Sequence, residues 1–432
     1  MMGLTMFKNT FFPITIGIVL VAVSCGNVSK TDKTEDGRQK AEVETVLETE
    51  DRRPMTKAIS VAANQTEAYL PLLKGKRVGI VANQTTVVFK KTEDGRRKTE
   101  AAYTHLVDSL LALKVDVKKV YAPEHGFRGT ADAGELIKDG LDTKTGLPII
   151  SLYGDNKKPK PEQLQGIDIM IFDVQDVGAR FYTYVSSLHY VMEACAEAKI
   201  PLLILDRPNP NGHIIDGPIL EKEHQSFVGM HPIPVLHGMT IAEYANMINA
   251  EKWLKNGIQC ELMVIPVKNY SHQMAYSLPI KPSPNLPNDA SINLYASLCF
   301  FEGTNVSVGR GTSQQFQIFG SPFLDKKLYN FSFTPMPNEG AKSPIHQGKQ
   351  CFGKNLSNTS SVKTLELSYL IEAYKNTSDK TVFFNAFFTK LAGTKHLQKQ
   401  IEQGLSEKEI KASWQAGLEQ FKTKRQLYLL YP

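Results

Sequence analysis

The segment Pro123-Glu124-His125-Gly126-Phe127-Arg128-Gly129 sets a carboxyl group between a proline and a glycine turn, which holds the side chain in place. If a second lobe of protein covers it, desolvation favours the protonated carboxyl and makes Glu124 a general acid. A plainer reading pairs Glu124 with Arg128 in a surface loop, and the residues leave both open. Farther on, Phe172-Asp173-Val174-Gln175-Asp176-Val177-Gly178-Ala179-Arg180-Phe181-Tyr182-Thr183-Tyr184 brings two carboxylates, an arginine and two tyrosines. Sugars are bound by hydrogen bonds from carboxylates and amides together with contact against aromatic rings. Asp173 could equally close a turn or cap a helix, and the tyrosines could simply pack. Phe301-Glu302-Gly303-Thr304-Asn305 supplies another glutamate. Glycosidases commonly use two carboxyl groups, one to protonate the leaving oxygen and one as base or nucleophile. Glu124 with Glu302, or with Asp173, would make such a pair, although a structural pairing of Glu302 with Arg310 is also open. His125, His189, His231 and His237 are too scattered to read as metal ligands, and no C-x-x-C or His-rich spacing points to a metal site.

These residues need a scaffold, and the stretch 76–206 describes one. Short runs rich in Val and Ile (77–82, 119–122, 147–152, 168–172 and 201–205) each stop abruptly at polar or turn residues, with helical stretches at 104–113 and 185–199. Continuous apolar strands are buried on both faces, which implies a parallel sheet covered by helices. The expected fold is α/β, a Rossmann-like, doubly wound and mostly parallel sheet, followed by a smaller α+β C-terminal domain. Ligands of such sheets bind beyond the carboxyl ends of the strands. Those ends carry Asn83, Gln84, Glu124, His125, Asp173, Asp176, Asp206, Arg207 and Asn209. From residue 256 the pattern changes to a strand at 259–267, a proline-punctuated loop at 278–287, short strands, and two expected helices at 364–375 and 407–428. The expected domains are therefore 58–255 and 256–432, with the second closing over the first.

Several function classes find no support. A formal charge of +6, with 50 basic residues scattered among 44 acidic ones, argues against nucleic acid. No G-x-G-x-x-G follows the first strand and no P-loop lysine motif is present, so a nucleotide cofactor is disfavoured. A serine hydrolase would need a G-x-S-x-G elbow.

At the other end of the chain, Lys8 precedes an apolar run at 11–23, the length of a signal-peptide core. Ala22-Val23-Ser24-Cys25-Gly26 resembles a bacterial lipobox, in which Cys25 is lipidated. Residues 1–25 then form a leader and 26–57 a charged tether that buries too little apolar surface to fold alone. An exported, membrane-anchored protein of the cell envelope is expected. The remaining Cys195, Cys260, Cys299 and Cys351 lie in apolar or helical patterns and read as buried free thiols.

Taken in order, VGIVANQT (78–85), APEHGFRG (122–129), FDVQDVGARFYTY (172–184), DRPNPNG (206–212), HGMTIAEYA (237–245), SPNLPN (283–288) and FEGTNVSVGRGT (301–312) resemble the exo-β-N-acetylmuramidases, a glycoside hydrolase family. The resemblance runs from about residue 58 to the C-terminus. It implies an active site between a Rossmann-like domain and a smaller C-terminal one. It also implies release of N-acetylmuramic acid from the non-reducing ends of β-1,4-linked peptidoglycan fragments, without a cofactor. The family's catalytic glutamate falls on Glu124, with Glu302, Asp173 and Asp176 as candidates for the second group. Asn83, Gln84, His125, Arg128, Asp176, Arg180, Tyr182, Tyr184, Asn285, Asn305 and Arg310 are the substrate-binding candidates. Muramic acid carries a lactyl carboxylate, so one of Arg128, Arg180, Arg207 and Arg310, with Arg180 or Arg310 preferred, is expected to select it by bidentate pairing. The competing reading is an envelope lipoprotein that binds muropeptides or sugars without cutting them. A wall amidase would need a zinc site or a cysteine–histidine pair, and neither is evident.

Overall fold

The computed structural model describes residues 58–90, 103–129 and 139–432. Cys25 and the charged segment after it lie outside the described residues. Seven strands form the central sheet: β1 (Arg77–Ala82), β2 (Asp116–Ala122), β3 (Gly140–Leu141), β4 (Pro148–Ser151), β5 (Ile169–Asp173), β6 (Leu202–Leu205) and β7 (Leu262–Ile265). Their order is β7-β6-β5-β1-β2-β4-β3, and every pairing is parallel except β3 with β4. The chain builds outward from β1 in one direction and then in the other, so the order switches between β1 and β5.

Alternation within each strand explains why the runs are apolar throughout. Ile169, Ile171, Leu203 and Leu205 face one layer, with Tyr69 of helix α1 (Thr66–Leu73) and Leu106 and Leu110 of α2 (Leu106–Ala112). Met170, Phe172, Leu202 and Ile204 face the other, with Leu188 and Met192 of a long helix at Tyr184–Ala198 and Tyr244 and Ile248 of another at Ile241–Ala250. Both faces are covered, as a doubly wound sheet requires.

The sheet does not end where the sequence pattern changes. Leu262–Ile265, read from sequence as the opening of the second domain, pairs in parallel with β6 and forms the sheet's edge. The α/β part therefore runs past residue 255. Beyond it, a three-stranded antiparallel sheet is made by Ile318–Ser321, Phe331–Phe333 and Cys351–Asn355, with the last in the middle. The expected tail helices lie at Ser368–Asn376 and Glu407–Arg425, and two shorter ones at Phe387–Ala392 and His396–Glu402 were not anticipated.

The final helix folds back onto the first half of the chain. Trp414 donates to Asp216 at 3.2 Å, Lys424 pairs with Glu251 at 2.7 Å, and the Tyr431 hydroxyl reaches buried Asp206 at 2.6 Å. The apolar layer around the 184–198 helix continues into Phe300, Phe319 and Leu391, so the two parts share one core. All four described cysteines are free and buried, as the sequence led us to expect.

Candidate active site

Strand β2 delivers Glu124. Its last residue, Ala122, is followed by a turn in which the Gly126 amide donates to the Pro123 carbonyl at 3.0 Å. His125 takes φ = +72° within that turn. A side-chain-bearing residue in the left-handed region is strained, and such strain persists only where the surroundings impose it. The Thr183 hydroxyl donates to Glu124 Oε2 at 2.6 Å, and the Tyr184 hydroxyl reaches the Glu124 carbonyl at 3.4 Å. Thr183 immediately precedes the helix Tyr184–Ala198, so the carboxyl group lies beside the amino end of that helix. Tyr153, just past β4, also lines the cavity with Glu124. Burial first, and then the neighbouring Glu124 charge, holds the Tyr153 phenol well above its ordinary pKa.

Glu124 opens into a cavity of about 480 Å³. The α/β part contributes Glu124, His125, Tyr153, Tyr182, Thr183 and Tyr184, and the later chain contributes Ser283, Asn285, Tyr295, Glu302, Arg310, Phe316, Ile345 and Phe387. Among the described lining residues, Glu124 and Glu302 are the acidic ones and Arg310 is the only arginine or lysine. Glu302 sits on a short 3₁₀ turn, Cys299–Gly303, after the helix Asp289–Leu298. Gly303 packs so close to the helix Phe387–Ala392 that a methyl group there would lie 2.4 Å from Phe388 Cα. Arg310 Nε donates to Glu302 Oε1 at 2.6 Å, and the Cys299 thiol lies 3.5 Å from Oε2. Burial alone would lower the Arg310 pKa; the charge and hydrogen bond of Glu302 outweigh it and raise it. The guanidinium lies 5.2 Å from the Phe316 ring centre and keeps 22% of its surface exposed to the cavity. The pairing of Glu302 with Arg310 and its place in the cavity therefore hold together.

The other expected residues sort differently. Asp173 is a correction: it is fully buried and takes two hydrogen bonds from Arg207, at 2.6 and 2.9 Å. It closes the switch point between β1 and β5, where Ala82 and Asp173 are register partners, and it does not line the cavity. Burial raises its pKa and Arg207 opposes the rise. Arg180 is also corrected, as a carboxylate reader. Fully buried, it donates to the carbonyls of Pro218, Ile233, Leu391 and Ala392 and so ties the C-terminal helices to the α/β part. Asp176 is buried beneath the site, accepts from the Gly178 amide at 2.6 Å, and has its pKa raised by burial to about 7. Arg128 pairs with Asp142 at 2.7 Å and with Asp108 at 3.5 Å.

Of the amides, Asn83 accepts from the Thr85 hydroxyl at 2.6 Å and shapes the turn after β1. Asn305 gives its carbonyl to His346 at 2.7 Å and lies outside the cavity lining, as do Asn83 and Gln84. Asn285 does line the cavity and donates to the Gly340 carbonyl at 2.6 Å. The Pro282 carbonyl accepts from Gln84 Nε2 at 2.9 Å, from Tyr182 at 2.9 Å and from Tyr184 at 3.2 Å. Tyr153, Thr183, Phe227, Tyr295 and Phe387 were not anticipated. For Tyr153 the available signal was its place directly after the apolar run 147–152.

Comparison with known proteins shows the family to which the chain belongs. The sequence profile described as exo-beta-N-acetylmuramidase NamZ, N-terminal, matches residues 78–290, and its C-terminal counterpart matches 293–431. The peptidoglycan beta-N-acetylmuramidase NamZ of Bacillus subtilis (strain 168) is 35% identical over 449 residues, which span 98% of this chain and 100% of that protein. A crystal structure of a DUF1343 family protein from Bacteroides fragilis NCTC 9343 superimposes with a TM-score of 0.77 at 47% identity, covering 87% of this chain and 99% of that one. A second from the same organism gives 0.71 at 27% identity, covering 88% and 100%. With both profiles matched in order and the full-length relative aligned end to end, the chain belongs to the exo-β-N-acetylmuramidase family.

Proposed function

We propose that this protein is an exo-acting glycoside hydrolase that releases N-acetylmuramic acid from the non-reducing ends of β-1,4-linked peptidoglycan fragments. The observation that carries this reading is one cavity holding two carboxyl groups, Glu124 and Glu302, and one guanidinium, Arg310. Glu124 gives its proton to the glycosidic oxygen as the bond to the anomeric carbon breaks. Glu302 serves on the other side, activating water or attacking that carbon itself. Water ends on the anomeric carbon of the released sugar, and the leaving sugar keeps the proton from Glu124. The experiment is hydrolysis of aryl and disaccharide β-N-acetylmuramides beside the matching glucosaminides; the product anomer assigns the role of Glu302.

To Arg310, the arginine that lines this cavity, we assign the reading of the lactyl carboxylate. Its Nε is engaged by Glu302, which leaves the outer guanidinium edge for a carboxylate. Arg310→Met is expected to lower kcat/KM on the muramide by about 10-fold or more, the scale of one charge-assisted pair, and to leave the glucosaminide rate much less changed. Equal loss on both substrates would remove Arg310 as the selecting group.

The apolar run at 11–23 and the small residues leading to Cys25 support an exported lipoprotein of the cell envelope. In bacterial cells the protein should incorporate labelled palmitate and fractionate with membranes, and Cys25→Ser should do neither. A labelled Cys25→Ser variant would overturn the anchor.

A further inference from the structure

We infer that Thr183 is a positioning residue for Glu124, holding the carboxyl group by Oε2 so that Oε1 presents the proton to the leaving oxygen. The inference rests on the acid role proposed for Glu124. Threonine directly before a helix ordinarily turns its hydroxyl back to accept from a backbone amide of the first turn. Thr183 occupies that place ahead of Tyr184–Ala198 and makes no such capping bond. Its hydroxyl instead donates to Glu124 Oε2 at 2.6 Å, the length of a charge-assisted hydroxyl–carboxylate bond. The Tyr184 hydroxyl, which donates to the Pro282 carbonyl at 3.2 Å, lies 3.4 Å from the Glu124 carbonyl and packs the next residue against the same turn. Glu124, Tyr153, Thr183 and Tyr184 all line the one cavity.

The chemical consequence follows from where charge develops. As Glu124 releases its proton, negative charge grows on the carboxyl group, and hydrogen bonds from fixed donors strengthen with it. The Thr183 hydroxyl thus contributes more in the transition state than in the bound ground state, and its loss falls on kcat rather than on KM. The demand is greatest when the leaving group is a sugar hydroxyl and smallest when it is an acidic phenol, which departs with little help.

The test compares Thr183→Val, Thr183→Ala and Thr183→Ser with the parent protein on a muramic-acid disaccharide and on a 2,4-dinitrophenyl β-N-acetylmuramide. Val and Ala are expected to lower kcat on the disaccharide by about 10–100-fold, the scale of a lost hydrogen bond to a charged group. KM and the thermal midpoint should stay near the parent values, since the hydroxyl makes no capping bond. Ser should restore most of kcat, and the Val and Ala defects should shrink on the dinitrophenyl substrate. Parent-like kcat in either folded variant, no rescue by Ser, or an equal defect on both substrates would overturn the positioning role. An active Glu124→Gln would instead overturn the underlying acid assignment, so the two failures are told apart.

Discussion

Glu124→Gln is expected to lower kcat on a muramic-acid disaccharide by about 10²–10⁴-fold, the range that general acid catalysis contributes. Glutamine keeps the shape of the side chain and an oxygen to accept from Thr183, so what is removed is the transferable proton. Binding of muropeptides and the thermal midpoint should be retained. The loss should be smaller on an aryl glycoside, whose phenol leaves with less protonation. If the parent protein hydrolyses neither muramide nor glucosaminide yet binds muropeptides, the reading becomes that of a binding protein on a glycosidase scaffold. If the parent is active and Glu124→Gln keeps its rate, the acid must be sought elsewhere in the cavity.

The second large effect falls on stability. Asp173 and Arg207 form a two-bond ion pair with both side chains almost wholly buried. Asp173→Ala leaves the guanidinium unpaired in the interior, which costs about 3–5 kcal/mol for a broken buried pair. The expected result is a lower thermal midpoint and poor recovery of soluble protein. Adding Arg207→Met to the same chain should return much of the loss, because it removes the stranded charge. A well-folded but inactive Asp173→Ala would contradict the structural assignment and return Asp173 to the catalytic candidates.

Glu124 and Asp173 show what the sequence could and could not resolve. Each is an acid directly after a buried strand, and the strand ends were readable because burial on both faces makes the runs apolar throughout. Nothing local separates the two. Asp173 is neutralised by Arg207, which sits at the end of the neighbouring strand β6, and adjacency of parallel strands is decided by the crossovers. Arg180 misled for a similar reason: its four carbonyl partners lie at 218, 233, 391 and 392, and only the closed fold brings them around it. Leu262–Ile265 was placed in the wrong part because a small hairpin and the helix Ile241–Ala250 interrupt the strand–helix rhythm before the last sheet strand. Glu302 and Arg310 were legible as a pair through their closeness in the chain, while the aromatic surroundings of the site, including Tyr295 and Phe387, depend on tertiary packing alone.

The Pro282 carbonyl, with hydrogen bonds from Gln84, Tyr182 and Tyr184, bears on traffic through the cavity. Three side chains from the α/β part fasten that proline loop to the strand ends, and Asn285 extends the attachment to Gly340. This wall moves only with the sheet. Ile345 and Phe387 also line the cavity, with 44% and 36% of their surface in solvent, an apolar lip rather than a bolted wall. The lip, exposed and without the hydrogen bonds that fasten the proline loop, is the part expected to yield as a sugar enters or leaves, with residence time set there and the bond-breaking groups held on the frame. Enlarging or trimming Ile345 should therefore alter how long product lingers without altering how fast the bond is cut.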